Sequence, residues 1–236
     1  MNITFCNLVF NGLKRKEILT KSLSEFVHVV TVSAESIVSA NEIPKLKEIV
    51  NTNYATFDGQ LPYILAKIKN RHIEFEKISG SDFIYDICKF AQEQNWKVFL
   101  LGGKDYSNKE SIRRLKEKFG LISKGMTEVM QYPFPEDTIK KIRDEIKEFS
   151  PDVIFVALGI PKQEYWIDEN RNFLIKNNVK MAIGCGGTLE FFSGMIRRAP
   201  VFFQKTGMEG LYRFIVEPKF FRLKRLFRCF LMFKYL

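Results

Sequence analysis

The chain has 236 residues, 46% hydrophobic and 27% charged, with a formal net charge of +10. That composition can bury one sizeable core, so a single globular unit with an appendage is expected rather than two independent domains. Four scattered cysteines (Cys6, Cys88, Cys185, Cys229) and two histidines (His28, His72) lack paired ligand spacing, which argues against a zinc site or a disulfide framework.

The N-terminal run MNITFCNLVFNGLKRKEI lacks the order of a signal peptide, and no stretch approaches the roughly 18 apolar residues of a membrane span, so a cytoplasmic location is expected. The first strand signal is Phe26–Thr31, rich in β-branched residues, with His28 inside its apolar pattern. A second covers Tyr54–Phe57 and runs into Asp58-Gly59, a pair that most often marks a turn. An aspartate at the carboxyl end of a strand is also well placed for a general base.

Helical spacing of apolar residues covers Phe83–Gln94, preceded by Ser79-Gly80-Ser81-Asp82, whose short polar side chains suit a helix cap and also suit an anion. Next come a strand over Lys97–Leu101, the candidate phosphate turn Gly102-Gly103-Lys104, and helices over Lys109–Phe119 and Asp137–Phe149. A strand over Val153–Leu158 leads into Gly159-Ile160-Pro161-Lys162-Gln163-Glu164 and a helix over Gln163–Lys176. Proline suits a first helical turn, where free N–H groups and the helix dipole favour an anion and Lys162 adds charge. The last strand signal, Val179–Ile183, ends in Gly184-Cys185-Gly186-Gly187-Thr188-Leu189-Glu190, which has Leu189 where a dinucleotide fingerprint needs its third glycine. Strand alternating with helix predicts an α/β fold, a parallel sheet covered by helices on both faces, with ligands beyond the carboxyl ends of the strands.

The composition shifts near Arg197. From Met195 to Leu236 there are ten basic residues against Glu209 and Glu217, leaving the other 194 residues at only +2. This divides the chain into an α/β core over 1–195 and a basic, aromatic helical appendage over 196–236. Phe220, Phe221, Phe227, Phe230, Phe233 and Tyr235 interleave with Lys219, Arg222, Lys224, Arg225 and Arg228, a pattern that fits an anionic membrane surface. RNA binding uses the same residue types. No two aspartates are spaced Asp-x-Asp, so any catalysis is expected without a metal, and neither histidine is given a role.

Taken in order, several segments resemble the WecG/TagA/CpsF glycosyltransferase family. They are Val30-Thr31-Val32-Ser33-Ala34-Glu35, Asp58-Gly59, Lys77-Ile78-Ser79-Gly80-Ser81-Asp82, Val98-Phe99-Leu100-Leu101-Gly102-Gly103 and Leu158-Gly159-Ile160-Pro161-Lys162-Gln163-Glu164. Arg198-Ala199-Pro200, Leu211-Tyr212-Arg213 and Glu217-Pro218 complete the set. The resemblance implies an α/β fold with a Rossmann-like parallel sheet flanked by helices, and an inverting, metal-independent transfer, with no cofactor, from a UDP-sugar to an undecaprenyl-diphosphate-linked sugar in cell-surface polysaccharide synthesis. It further implies a peripheral enzyme at the inner face of the cytoplasmic membrane that binds no nucleic acid, with a homo-oligomer left open. Asp58 would be the base. Thr31, Ser33, Lys77, Ser81, Arg213 and Arg222 would meet the substrates, and Gly102, Gly103, Gly159, Pro161, Lys162, Gln163, Glu164, Gly186, Gly187 and Glu190 the nucleotide.

The chain departs from the family pattern at Val32 (for proline), Ser33 (asparagine), Lys77 (arginine) and Glu190 (often aspartate), which bears on the identity of the sugar. A free aspartate, with a pKa of about 3.9, needs burial or a preorganised pose to act as a base. Two other readings remain open from the residues: a nucleotide-binding oxidoreductase, and a non-catalytic module that docks RNA or a membrane through its tail.

Overall fold

The computed structural model describes residues 1–128, 130–197, 199–200, 203, 209–216 and 220–236. Contacts divide the chain into two compact units. The first comprises Met1–Lys14, Val30–Ser79 and Arg197–Leu236, the second Arg15–Val29 and Gly80–Ile196.

Six strands, β3 (Val27–Val32), β4 (Tyr54–Phe57), β5 (Val98–Gly102), β6 (Ser123–Met126), β7 (Val153–Ala157) and β8 (Met181–Gly184), form a parallel sheet in the order β4-β3-β8-β7-β5-β6. The five strands read from the sequence are all there. β6, SKGM, has no apolar run to announce it, because it lies at the edge of the sheet and is only half buried. Gly125 within it has no room for a side chain: a Cβ would stand 2.0 Å from Asn108 Oδ1. Asn108 in turn donates to the carbonyls of Leu100 and Gly102.

In the second unit the helices are α1 (Arg15–Lys21), α5 (Gly80–Glu93), α6 (Asp105–Phe119), α7 (Glu136–Phe149), α8 (Lys162–Glu169), α9 (Arg171–Lys176) and α10 (Thr188–Phe192). Alternate strand residues face opposite ways. Phe99, Leu101, Ile154, Val156 and Ala182 pack with Ile142, Ile146, Trp166, Ile167 and Leu174 of α7, α8 and α9. On the other side α10 packs with α5 and α6.

Helix starts differ from the expected ones. α6 begins at Asp105, four residues before Lys109, and α5 at Gly80, three before Phe83, because first turns carry polar residues that apolar spacing does not register. The single helix expected over Gln163–Lys176 is two, broken at Asn170. Its side chain donates to the Trp166 carbonyl and accepts from Arg143 Nε, the local competition with backbone bonding that interrupts helices.

In the first unit the N-terminal hairpin and the helices between β3 and α5 were not expected, whereas helix in the basic C-terminal segment was. β1 (Ile3–Phe5) and β2 (Leu8–Phe10) form an antiparallel hairpin whose turn residues, Cys6 and Asn7, have φ of +50° and +58°. Both positive values match the twist of a two-residue hairpin loop. Helices α2 (Ala34–Glu42), α3 (Pro44–Thr52) and α4 (Gln60–Lys69) follow, then α11 (Glu209–Val216), α12 (Phe220–Phe230) and a 3₁₀ turn (Leu231–Tyr235). The core of this unit is aromatic, with the Phe10 and Phe57 rings stacked 4.0 Å apart and Phe5 and Phe75 set against Phe57. α12 and the 3₁₀ turn pack on α2, where Arg228 pairs with Glu42 and Met232 is buried. Phe227, Phe230, Leu231 and Phe233 stay exposed.

Candidate functional site

Strand order decides where a ligand can sit in the second unit. From β5 the chain moves outward through α6 to β6, whereas from β7 it moves the opposite way through α8 and α9 to β8. Right-handed crossovers running in opposite directions put their helices on opposite faces, leaving a crevice at the carboxyl ends of β5 and β7. The turns Gly102-Gly103 and Gly159 lie at those two ends.

Gly102 and Gly103 have φ of +86° and +75°. A Cβ on Gly102 would lie 2.8 Å from the Ala157 carbonyl oxygen, and Gly103 N–H donates to that same oxygen at 3.0 Å. The Gly102-Gly103 turn is thus held against the end of β7 by a backbone hydrogen bond. α6 starts directly after Lys104 without a side-chain cap, so its dipole points into the turn. Lys104, mentioned in the sequence only as part of a candidate turn, pairs with Glu190 in the first turn of α10 at 2.7 Å. Glu190 therefore faces a cation on a neighbouring turn.

Gln163 ties the next two turns. Its Oε1 accepts from Gly159 N–H at 3.2 Å and from Gly186 N–H at 2.9 Å, and its Nε2 donates to Glu164 Oε1 at 2.8 Å. Those two backbone donors, expected to be free for an anion, are engaged by the side chain. Pro161 stands one residue before α8 rather than inside it, and its carbonyl accepts from Tyr165 N–H to open the helix. Lys162 Nζ donates to the Met130 carbonyl, tying α8 to the loop after β6. That loop carries Tyr132, half exposed, with its ring 4.9 Å from Tyr165; it lies outside every periodic segment, so nothing in the sequence marked it. Gly187 precedes α10. Glu164, expected beside the nucleotide, is wholly buried. Desolvation raises its pKa to about 7, and burial also pushes the Cys185 thiol up, with the Glu164 charge adding to it.

In the first unit, Asp58 follows β4 and its N–H donates to the Val32 carbonyl at the end of β3. Ser33 follows β3 and caps α2, its Oγ accepting from Ser36 N–H at 3.2 Å. An asparagine at this place would serve as well, since both are preferred caps. Thr31 is buried within β3. Lys77 runs parallel beside Phe57, one residue before Asp58, where the Phe57 carbonyl accepts from Ile78 N–H and the Ile78 carbonyl from Thr56 Oγ1. Thr31, Ser33, Asp58 and Lys77 are thereby gathered at the carboxyl ends of β3 and β4. Gly59, with φ of +99°, turns the chain from Asp58 into α4.

Ser81 lies in the first turn of α5, in the second unit. Arg213 and Arg222 fall on α11 and α12, and their side chains lie outside the described residues, as do Arg198 and the Glu217-Pro218 pair. Among the described residues no three His, Cys, Asp or Glu side chains converge, and no helix is long and apolar enough to cross a membrane. Glycine turns, an uncapped helix start and a lysine at a switch point suit a phosphate-bearing ligand. A carboxylate between two strand ends suits proton abstraction from a hydroxyl.

Comparison with known proteins bears on that chemistry. The family described as "Glycosyl transferase WecG/TagA/CpsF family" matches residues 3–236. The N-acetylglucosaminyldiphosphoundecaprenol N-acetyl-β-D-mannosaminyltransferase of Bacillus spizizenii is 28% identical over 193 residues, which cover 80% of this chain and 71% of that one. A protein of the same name from Staphylococcus aureus is 31% identical over 192 residues, covering 81% of this chain and 72% of its own.

Proposed function

Because this chain belongs to the WecG/TagA/CpsF glycosyltransferase family, we propose that it moves an N-acetylhexosamine such as N-acetylmannosamine, or another hexose, from a UDP-sugar to an undecaprenyl-diphosphate-linked sugar. It is a glycosyltransferase, which replaces the oxidoreductase and non-catalytic readings. The acceptor class follows the names of the relatives, and the product would feed a cell-surface polysaccharide.

The observation that carries the donor half is the switch point, where Gly103 bonds back to the end of β7 and Lys104, at the uncapped start of α6, pairs with Glu190 of α10. There the diphosphate of UDP would find the uncapped first-turn N–H groups of α6 and the Lys104 ammonium, for which it would compete with Glu190. In the reaction the acceptor hydroxyl oxygen attacks the anomeric carbon, its proton passes to the Asp58 carboxylate, and the bond to the β-phosphate oxygen breaks. One displacement inverts the anomeric centre. Negative charge builds on the departing phosphate, and preorganised N–H groups and cations would stabilise it without a metal ion.

Membrane docking is the part assigned to the tail. Phe227 and Phe230 are 66% and 64% exposed, more apolar surface than a solvated helix needs. With the basic residues of the same segment they would hold the enzyme on anionic lipid at the inner face, where the acceptor resides.

A screen of UDP-sugars against a synthetic acceptor of lipid diphosphate linked to N-acetylglucosamine, read by mass spectrometry, tests the reading. The expected result is one added sugar with stoichiometric release of UDP. No transfer from any UDP-sugar, with transfer from another nucleotide-sugar, would replace the donor class.

A further inference from the structure

The Glu164 carboxyl lies wholly buried behind the Gly159 and Gly186 turns. Its Oε1 accepts from Gln163 Nε2, and its Oε2 has no hydrogen-bond partner among the described residues. A buried carboxyl half satisfied in this way destabilises a fold, and an apolar side chain of similar size would serve the core better. Packing therefore does not account for it.

What the carboxyl does is visible on its neighbour. An amide group has nearly the same shape either way round, but its two ends carry opposite hydrogen-bonding character. At Gln163 the oxygen end meets two backbone donors, Gly159 N–H and Gly186 N–H, from turns after two different strands. The flipped amide would put its own donors against both. The group that forbids the flip is the acceptor at the other end, Glu164 Oε1 at 2.8 Å. Gly184 completes the arrangement. A Cβ there would stand 2.6 Å from Gln163 Nε2 and 2.8 Å from Glu164 Oε1, so only glycine lets the pair lie against the end of β8.

We infer that Glu164 is a positioning residue of the donor site: by accepting the Gln163 amide it fixes that amide's oxygen on Gly159 and Gly186, and so locks the two turns in one geometry. It touches neither sugar nor nucleotide. This rests on reading those turns as part of the UDP-sugar site, and it assigns the acidic residue a role that acts only through its neighbour.

The test uses the full chain with Glu164→Leu, which keeps the bulk and removes the acceptor, and Glu164→Gln, which keeps an acceptor oxygen. Two readouts are taken, UDP affinity by calorimetry and amide hydrogen exchange at Gly159 and Gly186. Glu164→Leu should weaken UDP binding about tenfold and speed both exchanges, because one buried hydrogen bond is worth about that factor. Glu164→Gln should stay within about threefold of the parent on both readouts. In a Gln163→Leu background, Glu164→Leu should add less than about twofold, since nothing is left for it to act through. The inference is overturned if Glu164→Leu leaves affinity and exchange unchanged, if Glu164→Gln is as impaired as Glu164→Leu, or if the full loss persists without Gln163. Should the parent bind no UDP, the nucleotide reading fails, and the exchange rates still decide whether Glu164 holds the turns.

Discussion

His28 lies at the second position of β3, 1% exposed, and neither ring nitrogen has a hydrogen-bond partner among the described residues. Desolvation, with a smaller contribution from Arg171, lowers its pKa from 6.5 to about 3. The folded protein therefore keeps the ring neutral where the unfolded chain, below about pH 6.5, binds a proton. Stability from this site is complete above that value and drains away as the pH falls toward about 3. At about 1.36 kcal/mol per pH unit, moving from about pH 7.5 to about pH 5 removes about 2 kcal/mol. His28→Leu abolishes the titration while keeping β3 apolar. Urea denaturation of both proteins at the two pH values isolates the term, because every other group titrates alike in the pair. The parent should lose about 2 kcal/mol more than the variant on acidification. A difference under about 0.5 kcal/mol would mean that the ring is solvated or partnered in solution, and the reasoning from its burial would fail.

Asp58→Asn should cut transfer by about 10²–10⁴-fold while UDP affinity stays unchanged, since it deletes a base outside the donor turns; retention of more than half the activity would remove Asp58 from that role. Transfer should continue in excess EDTA, as expected from the missing Asp-x-Asp, and a loss restored by magnesium or manganese would overturn the metal-independent reading. Ending the chain at Val216 removes six basic residues and should release it from anionic vesicles, with about 6 kcal/mol as the upper bound at about 1 kcal/mol each and weaker binding in high salt. Replacing Phe227, Phe230 and Phe233 by serine is the gentler version, because it leaves the Arg228 pair with Glu42 and the buried Met232 intact. Unchanged vesicle binding by both variants would take the membrane role from the tail.

The sequence determined whatever is written within a few neighbouring residues. Val153–Ala157 is a strand because five consecutive apolar, mostly β-branched or aromatic residues suit a position buried on both faces of a parallel sheet. Gly102, Gly103 and Gly159 were legible as turns because positive φ favours glycine. Asp58 was legible as a candidate base because it stands one residue past a strand. The tertiary structure alone decided which strands are neighbours, and with that the switch point between β5 and β7, since pairing order depends on contacts across the whole chain rather than on local period. It alone showed β6, whose edge position asks for no apolar run, and the break at Asn170, which a continuous apolar spacing hides. The same holds for the proposed donor site. Gln163 and Gly186 are 23 residues apart and meet only because β7 and β8 pair in parallel with α8 crossing between them, and Glu164, which the family resemblance set beside the nucleotide, is buried by the packing of α8 against β8.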